Sequence, residues 1–176
     1  MPYDALSSKA YDRVLIIGNG GSGKTWLANR MAERLCCAPI HLDDVHWEPG
    51  RYGVARDKAI VERDVRRISS RPSWLIEGVY GWLANIAIDR TTLLIFLDLG
   101  CEECLSNIRS RGIQGGESAE DFQELLCWVA GYQFRHNNWN SREAHEKIFS
   151  RYDGPKFRLG SREAVNGYLS DVPAYA

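Results

Sequence analysis

The chain has 176 residues, 44% hydrophobic and 26% charged, with 22 Lys and Arg against 23 Asp and Glu for a formal net charge of −1. That length is a prior for one domain whose core needs neither disulfides nor structural metals. The balanced charge argues against direct nucleic-acid binding, and the longest apolar run, Leu93 to Leu97, falls far short of the ~20 residues that cross a bilayer.

Residues 1–11 read as a loosely held leader without the basic start or apolar core of a signal peptide. A strand is expected at 13–18, ending in the glycine-rich run Gly18-Asn19-Gly20-Gly21-Ser22-Gly23-Lys24-Thr25, and a helix at 24–36 with Leu27, Met31 and Leu35 four residues apart. This is the phosphate-binding pattern G-x-x-x-x-G-K-[ST] between a strand and a helix. Its backbone N–H groups would cradle phosphates at a helix N-terminus. Lys24 would reach the β- and γ-phosphates, the Thr25 hydroxyl would bind Mg²⁺, and Trp26 would adjoin the nucleotide. The expected ligands are ATP and Mg²⁺.

A second strand is expected at 38–42, followed at once by Asp43 and Asp44, either of which could hold Mg²⁺ through water or orient an attacking hydroxyl. Capping of the next segment is the alternative for one of them, and Asp43 is the preferred functional acid. A helix at 55–69 and a strand at 73–77 come next, and the strand closes on Glu77-Gly78. A buried strand ending in a carboxylate has the form that binds Mg²⁺ through water, with Gly78 allowing close approach to the backbone. Asp98, at the end of strand 93–98, has the same form, and pattern alone does not separate the two.

Further helices are expected at 81–88, 102–111, 119–135, 141–150 and 161–169, with a weaker strand at 156–159 and Ser118 as an N-cap. Arg109, Arg111, the loop Gly112 to Glu117 and Arg135 outline a lid over 109–135, in which arginines stabilise charge on a transferring phosphoryl group. A solvated helix face is the other reading of Arg109 and Arg111. Trp74 belongs to the core, Trp47 and Trp82 could line an acceptor pocket, and Trp128 and Trp139 sit on or beside the lid. Cys101-Glu102-Glu103-Cys104 has no second pair to complete a zinc site, and His41 and His46 have no third ligand. The five cysteines, Cys36, Cys37, Cys101, Cys104 and Cys127, read as cytosolic thiols and place the protein in the cytoplasm.

Continuous apolar strands alternating with helices imply a doubly wound α/β domain with a parallel sheet, whose ligands bind beyond the carboxyl ends of the strands. Those ends hold 18–25, Asp43, Asp44, Glu77, Gly78 and Asp98.

With these segments in order, the chain resembles the P-loop kinases of the adenylate kinase and shikimate kinase type. It is most similar to the bacterial topology modulation proteins, or adenylate-kinase-like ATPases. The resemblance rests on Val14 to Thr25, Ile40 to Gly50, Trp74 to Tyr80 and Leu94 to Leu99. It implies one P-loop domain with a five-stranded parallel sheet in the order 2-3-1-4-5, helices on both faces, an acceptor-binding region at 43–70 and a lid at 109–135. It also implies Glu77 as the acid near Mg²⁺, Asp98 as a strand-end residue, and Arg109 and Arg135 as lid arginines. Adenylate kinases place Pro-Arg soon after the Asp-Gly that corresponds to Glu77-Gly78; this chain has Val79-Tyr80-Gly81 and lacks that phosphate-binding arginine.

Two functions from different classes follow. One is a phosphotransferase that moves the ATP γ-phosphoryl group to a small-molecule acceptor held by Asp43, Trp47, Glu77, Gly78 and Trp82, with Lys24, Asp43, Arg109 and Arg135 catalytic. The other is a regulatory NTPase acting on a protein or nucleic acid. The assembly expected is a monomer or homodimer.

Overall fold

The structure, a computed structural model, describes residues 6–51, 53–114 and 117–174. Five parallel strands form one sheet in the order β2-β3-β1-β4-β5: β1 Arg13–Gly18, β2 Pro39–His41, β3 Trp74–Gly78, β4 Leu93–Leu97 and β5 Lys156–Leu159. β1, β3 and β4 are buried almost throughout, which is why their sequences are unbroken apolar runs rather than alternating ones. Side chains of β1 alternate between two cores. Val14 and Ile16 pack with Leu27, Met31, Leu97 and Tyr168, while Leu15 and Ile17 pack with Val65, Leu83, Phe96 and Ile148 on the opposite face.

Eight α-helices occur among the described residues: α1 Lys24–Leu35, α2 Leu42–His46, α3 Lys58–Ser69, α4 Gly81–Ala87, α5 Cys101–Arg111, α6 Ala119–Ala130, α7 Arg142–Arg151 and α8 Arg162–Asp171. None is long and apolar enough to cross a membrane. The central register fixes the site. Ile17 pairs with Gly78 on one side of β1, and Gly18 pairs with Leu97 on the other, so the phosphate loop emerges between the ends of β3 and β4.

Several boundaries differ from the sequence expectation, each for a local reason. The helix expected from residue 55 starts at Lys58, because the Asp57 side chain accepts from the N–H groups of Ala59 and Ile60 and caps it. The strand expected to reach residue 42 stops at His41, and Leu42 opens α2. The helix expected over 119–135 ends at Ala130 in a short 3₁₀ turn; its N-terminus is where Ser118 was expected to cap it, in a reciprocal capping box with Asp121. The leader reading fails for residues 8–11. They form a 3₁₀ turn whose Ala10 and Tyr11 are buried in the core, and the Thr92 hydroxyl donates to Ala10 O. Residues 1–5 of that leader, and Gly115 and Gly116 of the expected lid loop, lie outside the described residues.

Candidate active site

The loop from Gly18 to Thr25 turns sharply enough to need glycine. Gly21 has φ +73° and Gly23 φ +89°, both in the left-handed region that side chains avoid. At Gly21 a β-carbon would also collide with Cys104 O and stand 2.9 Å from Ile108 Cγ1, so α5 lies directly against the loop. Lys24 opens α1 and is 8% exposed; its Nζ donates to Asn19 O at 2.6 Å, which folds the ammonium back over the loop. The Asn19 side chain accepts from Gly20 N–H and donates to Val129 O at 3.0 Å, joining the loop to the end of α6.

Beside the start of α1, Glu77 is 1% exposed at the end of β3. Its Oε1 accepts from Thr25 Oγ1 at 2.8 Å and lies 2.8 Å from His41 Nδ1 on β2. The hydroxyl that follows the phosphate-loop lysine therefore touches the carboxylate that ends β3. Gly78 allows the next element to come close: a β-carbon there would stand 2.7 Å from Leu42 Cβ at the start of α2.

That approach brings the first turn of α2 to the same rim. Asp43 and Asp44 are both exposed, and Asp43 Oδ1 accepts from the Tyr80 hydroxyl at 2.6 Å. Burial, and then the charge of Asp43, push the Tyr80 phenol well above its ordinary range, so it stays a donor. The His46 ring lies edge-on to Trp47 and tilted against Tyr80, each at 4.5 Å, and edge-on to Trp82 at 6.2 Å, and Lys58 Nζ lies 5.5 Å over the Trp82 ring. Burial lowers the His46 pKa, partly offset by Asp43, and its buried Nδ1 has no hydrogen-bond partner among the described residues. Asp43, Trp47 and Trp82 thus meet in one aromatic and acidic group at the ends of β2 and β3.

On the opposite side of the loop, beyond β4 and β5, lies a cavity of about 570 Å³, within the usual size range of small-molecule sites. Residues 21–26 form its floor, with Trp26 half exposed. Its walls include Leu99, Asn107, Arg111, Arg162 and Asn166. Asn107 ties this side together: its Nδ2 donates to Gly21 O at 2.9 Å, and its Oδ1 accepts from Arg162 Nη2 at 2.5 Å.

No protein-family model and no curated protein matches the sequence. Solved structures do match over nearly the whole chain. A gluconokinase from Sinorhizobium meliloti 1021 is similar at TM-score 0.56 and 13% identity, over 92% of this chain and 91% of its own. A shikimate kinase from Bacteroides thetaiotaomicron gives 0.55 and 15%, over 90% and 94%, and an unliganded sugar kinase from Janibacter sp. HTCC2649 gives 0.52 and 15%, over 90% of both. The fold is that of the P-loop kinases. At such identities the likeness carries the architecture and leaves the substrate to the chain's own residues.

Within this P-loop kinase fold the expected lid residues have separate surroundings. Arg109 is exposed on α5 and does not line the cavity, whereas Arg111, half a helical turn further on, does. Arg135 is engaged with backbone: its Nε and Nη2 donate to Asn140 O at 3.0 and 2.7 Å, Nη1 donates to Trp128 O, and the guanidinium lies 4.5 Å over the Trp128 ring. Asp98 is held by both Nε and Nη2 of Arg142 at 2.8 and 2.7 Å, a bidentate ion pair at the end of β4. Cys101 and Cys104 direct their thiols toward the carbonyls of Ala130 and Leu99, and burial pushes Cys104 up to about 11. No disulfide joins the five cysteines, all of them among the described residues.

A buried polar link joins the base of α6 to the exit of β3. His145, fully buried on α7, lies 2.9 Å from Val79 O through Nε2 and 2.6 Å from the Tyr132 hydroxyl through Nδ1. A carbonyl can only accept, so Nε2 carries the proton and Nδ1 accepts from Tyr132. Burial lowers the His145 pKa to about 3 and keeps the ring neutral.

The residues present fit a nucleotide and its cation. The loop has the left-handed glycines and the buried lysine of a phosphate cradle, and Thr25 and Glu77 supply the neutral and charged oxygens that Mg²⁺ prefers. Sequence reading missed Asn107, Arg162 and Asn166 along the cavity. Applying the strand-end rule to β5 as well as to the earlier strands would have drawn attention to the start of α8.

Proposed function

We propose that the chain is an ATP-dependent phosphotransferase acting on a small-molecule acceptor. One observation carries the reading: the phosphate loop separates a 570 Å³ cavity on the β4–β5 side from the carboxylates and aromatic rings of Asp43, Trp47, Glu77 and Trp82 on the β2–β3 side. A donor nucleotide on one side and an acceptor on the other put the γ-phosphoryl group between them. The same reading makes the chain one domain with an acceptor region at 43–70 and a lid at 109–135. The strand-end motifs align it with the topology modulation and adenylate-kinase-like group.

In this scheme the N–H groups of residues 21 and 23–25 and the N-terminus of α1 hold the phosphates, and Lys24 exchanges Asn19 O for a phosphate oxygen. Thr25 and, through water, Glu77 would hold Mg²⁺, which when bound would neutralise phosphate charge. Asp43 orients the acceptor hydroxyl and takes its proton as that oxygen bonds to the γ-phosphorus and the bond to the β-phosphate oxygen breaks, releasing ADP. Arg111 and Arg162 reach the nucleotide from the cavity wall. Arg109 and Arg135 serve at the phosphates only through movement of the 109–135 segment, Arg135 by leaving its carbonyl partners. The unbridged thiols support a cytoplasmic setting.

The test is an acceptor screen. ADP formation is followed across polyols, sugar acids and nucleosides, with Lys24→Ala as the control. Strong acceleration by one class, abolished in the control, is expected. Slow hydrolysis indifferent to every acceptor would overturn the reading in favour of a regulatory NTPase.

A further inference from the structure

His41 and Glu77 are direct partners in the register of β2 and β3, so their side chains leave the same face of the sheet at its carboxyl edge. The Glu77 side chain is 2% exposed and that of His41 26% exposed. Glu77 Oε1 has two neighbours at 2.8 Å, the Thr25 hydroxyl and His41 Nδ1. The two contacts differ in kind. Thr25 stands at the mouth of the phosphate loop, and its hydroxyl oxygen is the group that would ligate a cation beside bound phosphates. A hydroxyl ligates a cation through an oxygen lone pair and keeps its proton for Glu77, so this contact is itself part of the cation site. His41 sits on a neighbouring strand outside the phosphate cradle and holds Glu77 from a second direction, independent of the cation. A glutamate turns about three side-chain bonds, so a carboxylate of defined orientation needs an anchor of this sort.

We propose that His41 is a positioning residue for the cation site. Its Nδ1–H donates to Glu77 Oε1 and fixes the carboxylate, leaving Oε2 uncommitted by either contact. This rests on the assignment of Mg²⁺ to Thr25 and Glu77 above. Because β2 is an edge strand of three residues, replacing His41 leaves the central sheet intact.

The experiment measures binding of a non-hydrolysable ATP analogue by calorimetry, in EDTA and across a Mg²⁺ titration, for His41→Phe, His41→Asn, His41→Gln and Glu77→Gln. Loss of the donor in His41→Phe is expected to raise the Mg²⁺ concentration at half-effect about tenfold, the usual scale for a group that orients a metal ligand. Binding in EDTA should stay within about twofold, since only the metal-dependent part depends on the anchor. The asparagine amide reaches the position of Nδ1 and should restore the parent midpoint to within about threefold, whereas the longer glutamine corresponds to Nε2 and should not. The Asn and Gln pair keeps the test decisive should the Phe variant fail to fold. An unmoved midpoint in His41→Phe, an equal change in EDTA, or an Asn variant no better than Gln overturns the proposal. If Glu77→Gln moves the midpoint and the His41 variants do not, this inference alone falls. If neither moves it, the cation assignment falls with it.

Discussion

Replacing His145 by glutamine should remove a specific part of the protein's acid sensitivity. The ring is fully buried, donates to Val79 O and accepts from Tyr132. Burial chiefly depresses its pKa to about 3, with Lys24 and Arg135 adding to the effect while the Val79 hydrogen bond and Asp98 oppose it. An unfolded histidine takes its proton near pH ~6.5, so below that value protons favour the unfolded chain. The contribution of His145 is therefore complete above pH ~6.5 and is lost by about 1.4 kcal/mol per unit as pH falls toward the folded value. Between pH 7 and pH 5 this amounts to about 2 kcal/mol, in a range where most carboxylates remain ionised in both states. The assay is urea unfolding of parent and His145→Gln at both pH values, followed by tryptophan fluorescence, with m-values checked for two-state behaviour. Glutamine retains an N–H for Val79 but does not titrate, so its pH 7 to pH 5 loss should be smaller by that amount. His46, also lowered by burial, contributes the same sign in both proteins and cancels in the comparison. Equal losses in the two proteins would refute the argument.

Three further outcomes are expected. Gly21→Ala should destabilise the protein by about 2 kcal/mol, because alanine resists the left-handed backbone and meets Cys104 O; an unchanged melting temperature would contradict this. Tyr80→Phe removes the 2.6 Å hydrogen bond to Asp43 while keeping the ring against His46. It should lower kcat about tenfold with nucleotide affinity unchanged, and an unaltered kcat would exclude Asp43 as the proton acceptor held by Tyr80. Arg111→Ala and Arg162→Ala should each weaken nucleotide binding about tenfold, the worth of one charged contact; Trp26 fluorescence in the same cavity reports it, and unchanged affinity in both would assign the cavity to another ligand.

The parts of the molecule legible in the sequence are those where one physical demand overrides all others. β1, β3 and β4 are buried on both faces, and only continuous apolar runs serve there. The phosphate loop is legible because its backbone excludes most residues with a β-carbon, and Ser118 because a helix start needs an acceptor. The contact of Thr25 with Glu77 follows once β1 and β3 are neighbours, but that of His41 with Glu77 depends on the exact register of β2, which no local pattern encodes. Arg111 had a usable signal. Cys104, Ile108 and Arg111 form one helical stripe, and Arg109 lies about 200° round from Arg111, so the buried face of α5 selects between the two arginines. Residues 8–11 carried no such cue, because a short turn is held by what it packs against and not by its own pattern.

Asn19 occupies the first of four positions that the phosphate-loop pattern leaves unspecified, yet little in this chain is interchangeable with it. Its backbone carbonyl receives Lys24, its side-chain oxygen receives Gly20 N–H, and its side-chain nitrogen holds Val129 O, all within a site 3% exposed. Aspartate would keep the acceptor but set a negative oxygen against the Val129 carbonyl and bring repulsion to a phosphate cradle. Glutamine would carry an extra methylene into closed space, and serine would fall short of α6. The vocabulary of the motif is thus narrower here than its formula, and the restriction comes from a helix more than a hundred residues away in the chain.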